Sequence, residues 1–247
     1  MSGAGAAGRA TGRTLDLSPP SRAALAAYAV ARTLVVGVSR LLWRLEVEGL
    51  EHVPEAGAYV VAPVHRSNID TLVVAAVSRH RLRYMGKEGV WRYKLPGWVL
   101  TSLGGFPVRR GAADREALRR CLEVLGNGEP LVLFPEGQRC SGEEVQPLFE
   151  GAAYLASRAH VPLVPVGIAG SEAAMGKGTV LPRLRTVRIV IGEAIPPPEA
   201  VRASREQLRQ LTGLLAERLQ EAFDEAKPGA GESWLRRRRA RRHLRQR

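Results

Sequence analysis

The sequence has little of what several protein classes depend on. Only two of its 247 residues are cysteine, and aromatic residues make up 5%. Two cysteines cannot form a disulfide scaffold, and by themselves they cannot form a four-cysteine zinc site. Aromatic and basic residues do not alternate, which counts against a surface that stacks nucleic-acid bases. The 45% hydrophobic content nevertheless excludes a wholly disordered chain and suits one large α/β domain.

Long uncharged apolar runs are also missing. The most apolar N-terminal stretch, Ala23–Leu45, is interrupted by Arg32 and Arg40. A membrane-spanning helix needs about 20 mainly apolar residues, and charges near its middle are costly. We therefore expect residues 22–44 to form an amphipathic helical segment lying on a membrane, with Arg22, Arg32, Arg40 and Arg44 toward the headgroups. A helix that packs on the core would show the same periodicity.

Acidic residues are outnumbered by basic ones, 24 to 37, which gives a formal charge of +13. Much of this excess lies in Trp234–Arg247, which contains eight arginines and no acid. We divide the chain into a flexible lead (1–21), the helical segment (22–44), a domain (45–226) and a linker with an Arg-rich tail (227–247). Such a tail suits an anionic membrane or a nucleic acid, although a solvated tail is the simpler alternative.

The remaining pattern is that of strands alternating with helices. Apolar runs predict buried strands, and amphipathic runs with capping residues predict helices. The predicted strands cover 45–49 (half-exposed), 59–64, 131–134, 161–168 and 187–191, and the predicted helices cover 71–77, 114–126, 151–160 and 204–226. This alternation indicates a single α/β domain with a central, largely buried sheet flanked by helices.

His65 is followed five residues later by Asp70, in a polar stretch between a predicted strand and a predicted helix. On one continuous helix five positions turn through about 500°, so the two side chains would face apart, whereas across a strand-to-helix turn they can meet. A carboxylate on one ring nitrogen fixes the histidine tautomer and makes the other nitrogen a general base. The alternative is that His65 caps the helix or stabilises a turn.

Two further motifs contain residues that could bind a ligand. One follows a predicted strand, and the other begins with two glycines. In Phe134–Arg139, Glu136, Gly137 and Arg139 would emerge at the carboxyl end of a buried strand, where ligands bind in open α/β sheets. A surface turn with a Glu–Arg ion pair is the alternative there. In Gly104–Arg110, the glycines allow a backbone to approach a ligand, and Arg109 and Arg110 can bind a phosphate, although paired arginines are usually solvated.

Together, and in this order, these motifs resemble the glycerolipid acyltransferase family, especially bacterial 1-acylglycerol-3-phosphate acyltransferases. His65 and Asp70 match its His-x4-Asp block, with Ser67 in its usual place. Gly104 and Arg110 match Gly-x-x-Phe-x-x-Arg, with Pro107 in place of Phe. Residues 134–139 match Phe-Pro-Glu-Gly-Thr-Arg-Ser up to its arginine, but Gln138 replaces Thr and Cys140 replaces Ser. Residues 164–168 look like the fourth block, an apolar run around a proline.

The resemblance implies a role for each motif. His65 would take the proton from the hydroxyl of 1-acylglycerol-3-phosphate, and Asp70 would orient the histidine. The product would be phosphatidate, formed with acyl-CoA or an acyl-carrier protein as the acyl thioester donor. Glu136 and Gly137 would shape the acceptor pocket. The phosphate would be held by four basic residues: Arg110, Arg139, Lys87 and Arg109.

The resemblance also implies a setting. No metal or bound redox cofactor is needed, and no specific nucleic-acid partner is expected. The protein would be peripheral to the cytoplasmic face of an anionic membrane. Three alternatives stay open: another glycerolipid or glycolipid acceptor, a nucleic-acid-binding protein driven by the Arg tail, and an inactive lipid-binding relative.

Three features are decoys or side issues. Residues 170–178 look like a nucleotide-binding P-loop, but the glycine spacing is wrong. Cys140, next to Arg139, could be a thiol with a lowered pKa, although its place belongs to the loop motif. Cys121 lies on an apolar helix face and is most simply a core residue.

Overall fold

The computed structural model of the chain describes residues 21–87, 89, 92–93, 98, 101, 103–108, 114–179, 181–199 and 203–233. The predicted lead, except for Ser21, and the Arg-rich tail from Trp234 onward lie outside the described residues.

Within the described residues, seven strands form one mixed sheet. They are β1 (Glu46–Glu48), β2 (Val60–Pro63), β3 (Arg83–Lys87), β4 (Gly105–Val108), β5 (Leu131–Val132), β6 (Leu163–Ala169) and β7 (Arg188–Ile191). Their order is β1-β7-β6-β2-β5-β3-β4. The last five strands in this order are parallel, whereas β7 is antiparallel to β6 and parallel to β1.

Helices cover both faces of the sheet, which confirms the predicted fold class. They are α1 (Arg22–Trp43), α2 (Asp70–Val73), α3 (Asp114–Gly126), α4 (Gly151–Ala159), α5 (Ser171–Met175) and α6 (Arg205–Ala226). Side chains alternate along β2, so that Val61 joins one core cluster with α1 and α2, whereas Val60 joins another with α3 and α4. Helix α6 contributes to both clusters and begins with a capping box of Ser204 and Gln207.

Most predicted elements are present, but the region between β2 and β5 differs from the prediction. The predicted helix 71–77 is one short turn, α2, followed by a 3-10 helix at Val74–Ala76. Strands β3 and β4 and helix α5 were not predicted. The two strands were missed because β3 has a basic residue at each end and β4 contains a glycine and a proline. Strand β4 lies at the edge of the sheet, where a proline is tolerated.

The glycine at the start of β4 has a structural role that the sequence did not suggest. We expected Gly104 to let the backbone approach a ligand. Its φ is +86°, and a Cβ there would overlap the carbonyl oxygen of Leu82. Gly104 is therefore required where the turn into β4 passes close to the segment that leads into β3.

Helix α1 does not match either of the two predicted alternatives alone, because its two faces differ. Tyr28, Val36 and Trp43 are buried against the domain, and the Arg32 Nε donates to the carbonyl oxygens of Ala75 (2.9 Å) and Ser78 (2.7 Å). Arg32 therefore points to the domain and not to headgroups, which corrects that part of the prediction. The other face exposes a stripe of apolar residues: Val30, Leu34, Val38 and Leu41.

By length and composition alone, α1 could also cross a membrane, and it is the one such helix in the part of the chain that the structure describes. Its mean hydropathy over 18 residues is 1.5. The bonds from Arg32 instead hold it along the domain, with the apolar stripe facing outward.

A glycine in β6 tests how tightly the sheet packs on α6. A Cβ on Gly167 would overlap the backbone of Ala222 and Phe223, so we expect Gly167→Ala to lower the free energy of unfolding by about 2–3 kcal/mol. The control is Gly213→Ala on the exposed side of α6, where a Cβ meets nothing within 4 Å. This variant should gain about 0.5–1 kcal/mol from helix propensity. Urea denaturation measures both, and equal stability of the two variants would contradict the packing.

Candidate active site

Three loops that follow parallel strands meet at one edge of the sheet. His65 follows β2, Phe134–Arg139 follows β5, and Gly170 follows β6. Because β2, β5 and β6 are parallel neighbours, their carboxyl ends lie side by side, which is where ligands bind in such sheets. A cavity of about 930 Å³ opens there.

His65 and Asp70 form a hydrogen-bonded pair at this edge. The His65 Nδ1 lies 3.1 Å from the Asp70 Oδ2. His65 stands in the loop after β2 and Asp70 is the first residue of α2, so the strand-to-helix turn brings the two side chains together. The histidine ring also stacks on Phe134, with ring centroids 4.1 Å apart.

The backbone of the turn fixes the carboxylate. The Asp70 Oδ2 accepts hydrogen bonds from the backbone N–H of Arg66 and of Ser67, both at 2.6 Å, and Asp70 is fully buried. Because a carboxylate only accepts hydrogen bonds, the His65 Nδ1 carries the proton and Nε2 is left with its lone pair. His65 lines the cavity, so this geometry suits a general base acting on a bound molecule.

A buried ion pair stabilises the turn between His65 and Asp70. The Arg66 Nη1 lies 2.8 Å from both carboxylate oxygens of Glu136, and both side chains are almost fully buried. Glu136 also accepts from the backbone N–H of His65 at 2.9 Å and of Gln146 at 3.0 Å. Arg66 donates further to the carbonyl oxygens of Gly142 and Glu144 and lies over the ring of Phe223.

This pair excludes one alternative and corrects one expectation. Glu136 does not form a surface ion pair with Arg139, and it does not face the cavity, because both of its oxygens are used within the protein. It shapes the site only by holding the backbone of His65 in place. Arg66 was not predicted as a site residue, because nothing in the sequence marks this arginine as a buried one.

Gly137 and Arg139 line the cavity, as does Lys177. Gly137 has φ +67°, and the ring of Phe149 packs where its Cβ would be. Neither Arg139 nor Lys177 makes an ion pair or a hydrogen bond with any described residue. Lys177 belongs to the stretch that resembles a P-loop. Because that stretch was set aside, Lys177 was not predicted to line the cavity.

The other predicted phosphate ligands cannot be placed. Lys87 ends β3, but its side chain is outside what the structure describes. Arg109 and Arg110 lie outside the described residues altogether.

Part of the cavity lining is apolar. Its walls are the side chains of Met85, Leu118, Cys121 and Leu155, from β3, α3 and α4. Cys121 is buried, as predicted for a core residue, but it also borders this cavity, and its Sγ lies 3.9 Å from the Met85 Sδ. The cavity lining therefore combines polar residues such as His65 with apolar side chains from β3, α3 and α4.

The thiol of Cys140 does not have the lowered pKa that its neighbour Arg139 suggested. Burial raises the pKa of Cys140, and the negative charge of Glu136 raises it further, against smaller opposing effects of Arg66 and Lys177. A raised pKa leaves the protonated, unreactive thiol dominant at neutral pH. In the described part of the chain, no three His, Cys, Asp or Glu side chains are grouped so that they could hold a metal ion.

Comparisons with known proteins agree with this architecture. A family model described as acyltransferase matches residues 44–169. The 1-acyl-sn-glycerol-3-phosphate acyltransferase of Bacillus subtilis is 28% identical over 179 residues, which are 72% of this chain and 87% of that protein. The chloroplastic 1-acyl-sn-glycerol-3-phosphate acyltransferase BAT2 of Brassica napus is 26% identical over 143 residues, 57% of this chain. The chain covers only 40% of the Brassica protein.

A solved structure shares the fold. It is the 1-acyl-sn-glycerophosphate (LPA) acyltransferase PlsC from Thermotoga maritima, with a TM-score of 0.66 and 25% sequence identity. The likeness covers 80% of this chain and 79% of that one.

The buried ion pair gives a first test of the site. Glu136→Gln leaves the Arg66 guanidinium buried without its counter-charge, so the free energy of unfolding should fall by about 3 kcal/mol. The matched control is Glu221→Gln, which breaks the exposed ion pair with Arg218 and should cost less than about 1 kcal/mol. Equal losses in urea denaturation would show that Glu136 and Arg66 do not stabilise the turn.

The two thiols give a second test. Alkylation of Cys140 by iodoacetamide should reach half its maximal rate at a higher pH than for an ordinary cysteine, because the thiolate is the reacting species. Burial raises the pKa of Cys121 to about 12, so this thiol should stay unmodified. Mass spectrometry of the native protein measures both, with Cys140→Ser as the control. A Cys140 midpoint at or below that of free cysteine would contradict the described environment.

Proposed function

The chain belongs to the acyltransferase family, whose model matches half of its length, and from this we propose that it acylates 1-acylglycerol-3-phosphate to phosphatidate. The donor is an acyl thioester, acyl-CoA or acyl-carrier protein. The relatives from Bacillus subtilis and Brassica napus, which bear the name of this activity, support the choice of acceptor. The observation that carries the proposal is that His65, paired with the buried Asp70, lines the cavity.

The pair performs the proton transfers of the reaction. The Nε2 of His65 takes the proton from the free hydroxyl of the acceptor as the oxygen attacks the thioester carbonyl carbon. Asp70 holds the ring in place and stabilises the imidazolium that results. When the tetrahedral intermediate collapses, the carbon–sulfur bond breaks and the imidazolium returns its proton to the leaving thiolate. A positioned base of this kind contributes about 10²–10⁴ in rate.

The polar and apolar lining of the cavity suits the two parts of these substrates. Arg139 and His65 both line the cavity, and Arg139 has no ion-pair partner among the described residues, so it is available for the acceptor's phosphate. We assign Arg109, Arg110 and Lys87 to the same phosphate from the family motif. The apolar walls formed by Met85, Leu118 and Leu155 suit an acyl chain.

The proposed setting is the cytoplasmic face of a membrane. The apolar stripe of α1 is a surface that soluble proteins rarely expose, and a lipid bilayer would cover it. The cytoplasmic leaflet is anionic and attracts basic proteins, and this chain has a formal charge of +13. We assign the Arg-rich tail the role of an additional tether.

The proposed reaction is tested by thiol release from oleoyl-CoA, measured with and without 1-oleoylglycerol-3-phosphate. Wild type should release thiol only with the acceptor and form phosphatidate, identified by mass spectrometry. His65→Ala should lower the rate by about 10²-fold or more, because the general base is lost. The matched control is His80→Gln, an exposed histidine whose ring nitrogen contacts the Glu55 carbonyl oxygen, and it should keep the wild-type rate.

The outcomes separate the alternatives. Equal rates in wild type and His65→Ala would remove His65 as the base. Acceptor-independent release, or release with another lysolipid alone, would refute 1-acylglycerol-3-phosphate as the acceptor. No release with any lysolipid, by a protein that unfolds cooperatively, would favour an inactive lipid-binding relative.

A further inference from the structure

The segment between α5 and β7 contains a largely exposed, basic loop, here called the rim loop (residues 176–179 and 181–185). It carries Lys177, Arg183 and Arg185, and no acidic residue occurs from Lys177 to Gly192. None of these three side chains makes an ion pair or a hydrogen bond with a described residue. Three unpaired cations on one loop attract an anionic partner.

The same loop exposes leucines. Leu181 is 78% exposed, more than any other large hydrophobic residue in the described part of the chain, and Leu184 is 37% exposed. Exposure of a leucine side chain to water is unfavourable. Leucine flanked by arginines is instead the composition of segments that lie in a membrane interface.

The rim loop is fixed beside the cavity. The Ser67 Oγ, within the His65–Asp70 turn, donates to the carbonyl oxygen of Met175, the last residue of α5, at 2.5 Å. The Arg183 N–H donates to the carbonyl oxygen of Ala174 at 2.7 Å, which closes the loop on its own base. Lys177 lines the cavity itself. The loop therefore stands at the cavity opening and not on a remote surface.

We propose that the rim loop is a membrane contact at the mouth of the active site. Leu181 enters the interfacial region of an anionic bilayer, while Arg183 and Arg185 bind lipid phosphates around it. The inference extends the proposed function, in which the acceptor is a membrane lipid: the lysolipid passes from the bilayer into the cavity beside Lys177. The loop lies beyond residues 44–169 and is distinct from the α1 stripe.

An acidic acyl-carrier protein would also be attracted by the positive charges of the rim loop. The bilayer is favoured because the loop combines two exposed leucines, Leu181 and Leu184, with its cations, and this combination suits a membrane interface. This partner is therefore treated as an outcome of the test.

The test labels the loop tip with bimane. Leu181→Cys is made in a Cys140→Ser background, where the remaining Cys121 is buried. The matched control is Leu50→Cys in the same background, because Leu50 is 49% exposed on a 3-10 helix (Leu50–His52) that follows β1. Each full-length labelled protein is mixed with phosphatidylcholine vesicles containing about 30% phosphatidylglycerol.

In the vesicles, the label at position 181 should shift its emission to the blue and be quenched by nitroxide-labelled lipid, while the label at position 50 stays as in water. If the labels at positions 181 and 50 behave alike in protein that sediments with vesicles, the proposal is overturned. A labelled protein that fails to sediment with the vesicles would also overturn it.

A second arm removes charge without touching the leucines. Arg183→Gln with Arg185→Gln should weaken vesicle partitioning roughly fivefold for each arginine at low salt, and the difference should shrink at high salt. Arg205→Gln with Arg209→Gln on α6 removes the same charge elsewhere and should have a smaller effect. Equal losses would leave only net charge as the cause and contradict a specific contact. A loss of affinity for an acyl-carrier protein with unchanged insertion would assign the loop to that donor.

Neither readout depends on turnover. Protein that inserts at position 181 but transfers no acyl group would refute the proposed function and leave the membrane contact standing. Protein that acylates a short-chain soluble acceptor without insertion would refute the membrane contact alone.

Discussion

The buried ion pair between Arg66 and Glu136 is the interaction on which the site depends. It joins the turn after β2 to the loop after β5, and the Glu136 carboxylate also receives the backbone N–H of His65. Two charges removed from water are costly unless each is compensated, and here the guanidinium is surrounded by three carbonyl oxygens, the carboxylate and an aromatic ring. The backbone of His65 is thereby fixed before any ligand binds.

A second set of bonds fixes the side chain of His65 from the other direction. Asp70 is fully buried and holds the turn through two short backbone hydrogen bonds, while Phe134 stacks on the imidazole. The base is therefore positioned by three different parts of the chain: the turn itself, the loop after β5 and the start of α2. Rigid positioning of this kind is what a general base needs, because a proton is transferred only over a short distance.

Sequence periodicity and the family motifs predicted the largely buried central sheet flanked by helices and the meeting of His65 with Asp70. They succeeded where a residue's environment follows from local pattern, as in the buried strands β2 and β6. They failed where tertiary contact decides. The sequence around Glu136 is the same whether its side chain faces a substrate or a buried arginine, and only the fold distinguishes these cases. Similarly, β3 and β4 carry charged residues, glycine and proline, and become strands because the neighbouring β5 pairs with β3 and β3 pairs with β4.

Helix α1 has a practical consequence for anyone preparing the protein. The family match begins at residue 44, which invites removal of the preceding segment to obtain a soluble catalytic fragment. Tyr28, Val36 and Trp43 belong to the buried interior, and Arg32 satisfies carbonyl oxygens just beyond α2, whose first residue is Asp70. A fragment lacking α1 would expose to water the apolar side chains that pack against α1 near Asp70. Detergent that shields the outer stripe is therefore the better route to a monodisperse sample.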